Sequence, residues 1–570
     1  MMNRNVTALV NKEYDLVIVG GGIFGICAAW DATLRGLSVA LLERGDFAHA
    51  TSANCFKIVH GGIRYLQHAD LYRVRESSHE RNVLLRIAPH LVHPLPIAIP
   101  TYGHGVQGKA FLRAGLRAYN LITCDRNRGI ADPQKRIPRG QVISRQECLR
   151  LFPGLERNGL TGAVIFSDAQ MHSPARLALS VLKSAVQAGA DAVNYVEVTN
   201  FLRNGDRMVG VEAEDALTGD RLQIRGKVVL NAAGPWAERL LNLRMGLRLT
   251  PELAYSRDAF VIVERSLTER YALAVQGRTA DPDAIVSRGR RHLFIVPWRR
   301  YSLIGVWHVV HRGKPDEFTV TEEDLQGFID EMNDAYPPLA LTLRDVSIWN
   351  AGLVLFGNNQ PGAGDLSYGK RSILIDHAKD HGVEGLVTMI GVRYTTARGV
   401  AEKAIDLVFR KVKKQPPKAV TAATPIYGGR IEHFDEFLHH ATGQTPSAVN
   451  LEVMHALLQN HGSEYKEILK YVDQDPKCAE TLPGSTVTKA EVVHAVREEM
   501  AQKLGDTVFR RTDLGTGGDP GEPALRECAA LMASECGWDE GRVRDELAEV
   551  RAAFPHACAK EPVRAMTCMS

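Results

Sequence analysis

The chain has 570 residues, 45% of them hydrophobic and 24% charged, so it is long enough for several packed domains and too apolar for extended disorder. Lys plus Arg number 69 against 66 Asp plus Glu, a formal charge of +3 that supplies no basic field for nucleic acid. Nine cysteines without a C-x-x-C pair argue against a zinc ribbon and fit free thiols in a reducing compartment.

In chain order, residues 1–13 lack the apolar core of a signal peptide. No run of about 18 apolar residues occurs anywhere, so a cytoplasmic location is expected, with peripheral membrane attachment left open. Tyr14 to Gly20 reads as a buried parallel strand, Ile23 to Arg35 as a helix ended by Gly36, and Val39 to Leu42 as a second strand ending at Glu43. Lys109, Arg113 and Arg117 recur every four residues beside Phe111, Leu112 and Leu116, a basic amphipathic segment that could lie on anionic lipid or form an ordinary solvated helix face. Leu177 to Ala188 reads as a helix. Strands are expected at Asp191 to Val198, Gly210 to Ala213 and Lys227 to Leu230, with a hairpin of Leu293 to Pro297 and Tyr301 to Val309. A strand at Gly385 to Ile390 and a helix at Arg398 to Lys411 follow. The basic, proline-bearing stretch from Lys411 to Pro417 reads as a linker. Beyond it, Leu451 to Leu458, Lys489 to Leu504, Pro523 to Cys536 and Glu540 to Phe554 have helical spacing, so a separate helical domain is expected.

The pattern G-x-G-x-x-G over Gly20, Gly22 and Gly25 lies between the first strand and the first helix. The first glycine allows the tight turn, the second lets backbone approach a pyrophosphate, and the third packs helix on strand, while the helix N-terminus favours negative charge. Glu43 can accept the ribose hydroxyls of an adenosine, and an acid there argues against a 2′-phosphate. FAD and NAD both satisfy this motif.

Thr51 to Gln67 reads TSANCFKIVHGGIRYLQ. This segment resembles the FAD-dependent glycerol-3-phosphate dehydrogenase family, in which it lies along the isoalloxazine ring and offers an arginine and a tyrosine to substrate. Asn231 to Trp236 (NAAGPW), Tyr394 to Arg398 (YTTAR), and Ala495 to Ala501 followed by Arg510 to Gly515 (RRTDLG) resemble further family segments in the same order. The resemblance implies FAD as cofactor. It places Ser52, Lys57, His60, Gly61 and Gly234 along the path toward the flavin and Thr395 and Thr396 near its pyrimidine side. Arg64 and Tyr65 would face the substrate, and Arg371 would help bind an anionic end. The implied fold is α/β: an FAD-binding Rossmann-like domain with an inserted mixed-sheet substrate domain (together residues 1–414), then an α-helical domain (415–570).

The substrate end departs from the family pattern. Where the family presents Lys-Gly-Ser-His, this chain has Ser256-Arg257-Asp258-Ala259. Val354 takes the place of a family arginine, Arg393 that of a lysine, and Gly305-Val306-Trp307-His308 that of a Gly-Thr-Thr-Asp turn. Arg257, Arg371 and Arg393 are expected to form an anion clamp. Arg393 is a poorer general base than a lysine because arginine keeps its charge. The expected chemistry is oxidation of the secondary alcohol of glycerol 3-phosphate by hydride transfer to flavin, with Arg64, Tyr65, Arg393 and His308 at the reaction and electrons passed to a quinone. His308 and His172 are the candidate bases. The same chemistry on another polyol phosphate, a hydroxy acid or an amine stays open, as does a non-catalytic flavin-binding interaction protein; homodimerisation is left open too. No metal ligand set is expected.

Overall fold

The computed structural model describes residues 2–103, 108–249, 253–280, 290–311, 313–356 and 371–554. Two sheets share the N-terminal three quarters of the chain. In the first, the strands Leu386–Ile390, Arg221–Asn231, Glu13–Val19, Val39–Leu42 and Asp191–Val193 run side by side in parallel. Glu13–Val19 is buried from Tyr14 onward, as expected of a parallel strand covered on both faces. Leu16 and Ile18 pack toward the helices Ile23–Leu34, Pro174–Gln187 and Ala397–Lys411, while Tyr14, Val17 and Val19 join the core on the other side. Within that first helix Gly25 comes so close to the strand end that a Cβ there would sit 2.0 Å from the Gly20 carbonyl oxygen.

The second sheet is mixed. Its strands Val92–Tyr102 and Leu160–Met171 come from one insertion into the dinucleotide unit, and Ala254–Val263, Ala272–Ala280, Arg290–Trp298, Tyr301–His311 and Val346–Phe356 from another. They join through the parallel pair Ala272 with Ile97. This is the mixed sheet that the resemblance implies for the inserted substrate domain, and it faces the first across a deep cavity.

After Lys411 the described chain is helical, with Leu451–His461, Lys489–Glu499, Glu522–Cys536 and Glu540–Ala552 among its elements. The RRTDLG segment is its docking strap. Arg511 donates to the buried Asp46 at 2.7 Å, with Arg510 bonded to the same carboxylate, and Arg299 of the hairpin turn pairs with Asp513 at 2.8 Å. Asp46 is held well below the usual carboxylate range: burial alone would raise it, and the two arginines outweigh burial. Arg176 and Lys183 of the FAD-binding unit reach Glu499 at 2.7 and 3.1 Å.

Two elements differ from expectation. The strand over 191–198 is two strands, broken at Tyr195, whose φ of +56° ends the pairing with Val39–Leu42 and sends the chain into Val196–Asn204. The helix over 489–504 stops at Glu499 because Met500 is left-handed, with φ of +55°. The amphipathic segment, for which lipid contact and an ordinary solvated face are both open, is a helix, Lys109–Ile122: its Leu112, Leu116 and Tyr119 are buried in the protein, while Phe111 and Leu121 stay exposed. Gly517, just past the strap, presses on the substrate sheet: a Cβ there would lie 2.0 Å from the Tyr301 ring.

Candidate functional site

A single cavity of about 770 Å³ runs from the end of the first strand to the second sheet. At one end Gly20 has φ of +106°, and a Cβ on it would meet Ala232 at 2.6 Å. Gly22 caps the Ile23–Leu34 helix, and among the described residues the one side-chain partner of its first turn is Ser52 Oγ, which accepts from the Ile23 N–H at 3.0 Å. Such a bare helix N-terminus is a natural anion site. Glu43, 6% exposed, accepts from the Gly21 and Gly45 N–H groups at 2.6 and 2.9 Å and lies on the cavity wall. The rim beside it is Trp236, with the Arg44 guanidinium 4.4 Å from its ring and its indole N–H donating to Asp316 at 2.7 Å. Gly234, with φ of +55°, lies beneath. Together these groups fit the ADP half of FAD.

Farther along, the HGGIRY segment is fixed from behind. Arg81, fully buried, donates to Asp168 at 2.8 Å and to the Ser167 carbonyl at 2.9 Å; Asp168 in turn accepts from the Gly61 N–H at 2.7 Å. Gly61 is obligatory because a Cβ would fall 1.9 Å from the Arg81 guanidinium. Burial pushes the Asp168 carboxyl up, but its bond to His60 and the Arg81 charge outweigh this and hold it below the ordinary range. The His60 N–H donates to Thr395 Oγ1 at 3.1 Å, which ties the segment to the start of the Ala397–Lys411 helix.

Of the sequence-predicted residues, Gly20, Gly22, Glu43, Ser52, His60, Gly234, Thr395, Arg64, Tyr65, Arg393 and His308 all line this cavity. Arg393 lies 5.2 Å from the Tyr65 ring centre and Arg73 4.4 Å from it; Arg393 also donates to Ser77 at 2.6 Å and Glu76 at 3.0 Å. Gly25, Gly61 and Thr396 act from behind the wall, Thr396 by donating to the Arg393 carbonyl.

Four expectations are not met by the geometry. Lys57 is buried off the cavity wall, 4.9 Å from the Phe260 and Trp298 rings and 3.4 Å from Asn350 Oδ1; desolvation lowers it to about 8. Arg257 is committed elsewhere, donating to Asp324 at 2.8 Å and to the Thr319 carbonyl, so it does not join an anion clamp. Arg371 is exposed and lies over Tyr72 at 5.1 Å, away from the cavity wall; the Gly369-Lys370 part of its turn lies outside the described residues. His172 is enclosed near Asp513, its backbone bonded to Leu91 and Trp298, and burial keeps it well below the ordinary histidine range.

Two groups on the wall were not anticipated. Asp168 announced itself only as a lone acid in an apolar strand, and Asp258 follows directly on Arg257, so strand alternation decides which of the two faces the cavity. Asp258 Oδ1 lies 2.7 Å from His308 Nδ1 and accepts from Ser256 Oγ at 2.6 Å. Beyond His308 an adjoining chamber of about 430 Å³ opens, sharing Arg64, His292 and Val306 with the main cavity.

A glycine-rich βαβ cradle, a second sheet closing over the flavin path and a helical cap define an FAD-dependent oxidoreductase. Residues 15–403 match the model for FAD dependent oxidoreductases, and residues 419–543 match that for the C-terminal domain of alpha-glycerophosphate oxidase. The glycerol-3-phosphate dehydrogenase of Synechocystis is 30% identical across 97% of this chain and 99% of its own length. The mitochondrial enzyme of Bos taurus is 29% identical across 95% of this chain and 73% of its own. The structure of glycerol-3-phosphate dehydrogenase from Bacillus halodurans complexed with FAD superposes with a TM-score of 0.74 at 24% identity, covering 96% of each chain. The chain belongs to the FAD-dependent glycerol-3-phosphate dehydrogenase family.

Proposed function

We propose that this protein oxidises the secondary alcohol of glycerol 3-phosphate to dihydroxyacetone phosphate and delivers the electrons to a quinone. The observation that carries the reading is the placement of Arg64 and Tyr65: the segment tied down by Asp168 and Thr395 brings both to the wall of the main cavity, Arg64 at the point where it meets the adjoining chamber. Gly20, Gly22, Glu43, Ser52, His60 and Thr395 would hold FAD, which supplies the two-electron acceptor. Arg64 binds the phosphate as a bidentate cation. Tyr65, with the Arg73 and Arg393 guanidiniums both near its ring, fixes the substrate's orientation within a positive surround. His308 takes the hydroxyl proton as the C2–H leaves as hydride and the carbonyl forms.

We place the domain boundary near residue 414, and infer a peripheral position on the cytoplasmic face of a membrane. Exposed Phe111 and Leu121 beside Arg113 and Arg117 support this position, and no described helix is long and apolar enough to cross a bilayer. Val354 on the cavity wall favours a second reading, the same oxidation of a different hydroxy compound with a smaller anionic group. Steady-state reduction of a soluble quinone with glycerol 3-phosphate, with identification of the ketone product, separates the two. Turnover confined to other alcohols would select the second.

A further inference from the structure

Residues 43–48 meet the glycine turn at both of their ends. Glu43 accepts from the Gly21 N–H at 2.6 Å, and the Ala48 N–H donates to the Gly21 carbonyl at 2.9 Å. Between them Phe47 is buried so close to Gly21 that a Cβ there would fall 2.7 Å from its ring. The segment is neither helix nor strand, so its shape is set by the groups that hold it. Its backbone is bonded to residues 193–196: the Tyr195 N–H donates to the Gly45 carbonyl at 2.9 Å and the Val196 N–H to that of Glu43 at 2.8 Å. At its middle stands the buried Asp46, which accepts from the Asn194 amide at 3.1 Å. Among the described residues its cationic partners are Arg510 and Arg511, both of the helical cap. The cap also holds the corner behind the segment, since Asn194 donates to the Met500 carbonyl at 2.9 Å and the Tyr195 hydroxyl to Asp506 at 2.7 Å. The same Asp506 takes Arg510 at 2.7 Å, and the Glu499 carbonyl takes Arg511 at 3.0 Å.

We propose that the helical cap completes the FAD site: Arg511, with Arg510 beside it, holds Asp46 and through it the 43–48 segment in the shape that presents Glu43 to the adenosine ribose. Asp46 and Arg511 are positioning residues, for neither lies on the cavity wall. A buried carboxylate deprived of its cation does not keep its charge in place, so loss of Arg511 must move the segment or neutralise Asp46. FAD affinity and docking of the cap are then coupled, and each strengthens the other by the same factor. The Arg299 and Asp513 pair docks the same strap on the hairpin turn without reaching residues 43–48, and so separates positioning from docking alone. The inference needs FAD and no particular substrate.

The test compares wild type, R511M, R511K, D46N, the double variant D46N/R511M and R299M as full-length, FAD-loaded protein. The rise of flavin fluorescence after dilution reads the rate of FAD release. Release should be about 30-fold faster in R511M and in D46N, as for a lost charge-assisted hydrogen bond at a buried site. R511K keeps the charge without the fork and should release about fivefold faster. The double variant should release no faster than R511M, because both substitutions break one contact. R299M should change release less than about twofold, because it shares no partner with Asp46. Hydrogen exchange gives the reciprocal reading on wild type: stripping FAD from the full chain should speed exchange over residues 500–512 and leave Lys466–Gln474 unchanged. The proposal is overturned if R511M holds FAD as wild type does, if R299M releases it as fast as R511M, or if the losses add in the double variant. Exchange over 500–512 that ignores FAD overturns it too. If R511M and D46N fail to fold, R511K and the wild-type exchange decide.

Discussion

At the cofactor end of the cavity the working groups are backbone atoms and glycines contiguous between Gly20 and Glu43; at the substrate end they are side chains drawn from four separated segments, around Arg64, Asp258, His308 and Arg393. The first end tolerates little change because a Cβ on Gly20 would lie 2.6 Å from the Ala232 carbonyl oxygen and one on Gly25 2.0 Å from that of Gly20. The second end can be rebuilt by exchanging side chains on neighbouring strands while the backbone stays put. A family can therefore keep its cofactor while its substrate contacts drift, as Val354 and Ala259 illustrate.

The largest effect should come from Gly25→Val. With the Cβ position 2.0 Å from the Gly20 carbonyl, the helix must separate from the strand, and the purified protein should carry no FAD; full flavin occupancy by absorbance would break the comparison at its stronger side. Next, Arg64→Met should keep FAD and lose kcat/KM for glycerol 3-phosphate by roughly 100-fold, the value of a bidentate charged contact, about 3 kcal/mol. Equal loss of flavin would show that the two ends are not separable.

His90 and His93 lie where the helical domain docks, His90 beside Gly428 and the His93 ring 5.4 Å from that of Phe434, so pH probes that contact. Burial pushes His90 and His93 from 6.5 down to about 3 in the fold. A depressed folded value means the unfolded chain binds more protons, so stability is full above about pH 6.5 and falls as pH drops toward 3. Two such groups give a slope of at most about 2.7 kcal/mol per pH unit. Denaturation followed from pH 7.5 to 5 should show the decline, and His90→Asn should flatten it; the pH range is chosen as roughly one unit either side of the ordinary histidine value. The smallest expected change is Val354→Arg, which adds a cation to the wall and should lower KM for glycerol 3-phosphate about tenfold, or about 1.4 kcal/mol. An unchanged KM would put the phosphate elsewhere.

The cofactor end was readable because its information is local: Gly20, Gly22, Gly25 and Glu43 fall in one strand, turn, helix and strand, and the fold reproduces that unit almost to the residue. The helices at 522–536 and 540–552 and the hairpin turn at Arg299 were readable for the same reason. The substrate end was not, because facing is a property of pairing. Arg257 and Asp258 are adjacent in sequence, and only the ladder register shows that Asp258 meets His308 while Arg257 is taken up by Asp324. Lys57 and Arg371 sit in or beside matching motifs, yet their placement depends on long-range neighbours, Asn350 for one and Tyr72 for the other. The RRTDLG segment was recognisable as a motif without its purpose, since Asp46 lies 464 residues away from Arg510.

The most direct test is anaerobic addition of glycerol 3-phosphate to the purified, FAD-loaded protein. Bleaching of the flavin's visible absorbance, with one dihydroxyacetone phosphate formed per flavin, is the predicted result. A flavin that stays oxidised with this substrate while dithionite still reduces it would contradict the proposed function.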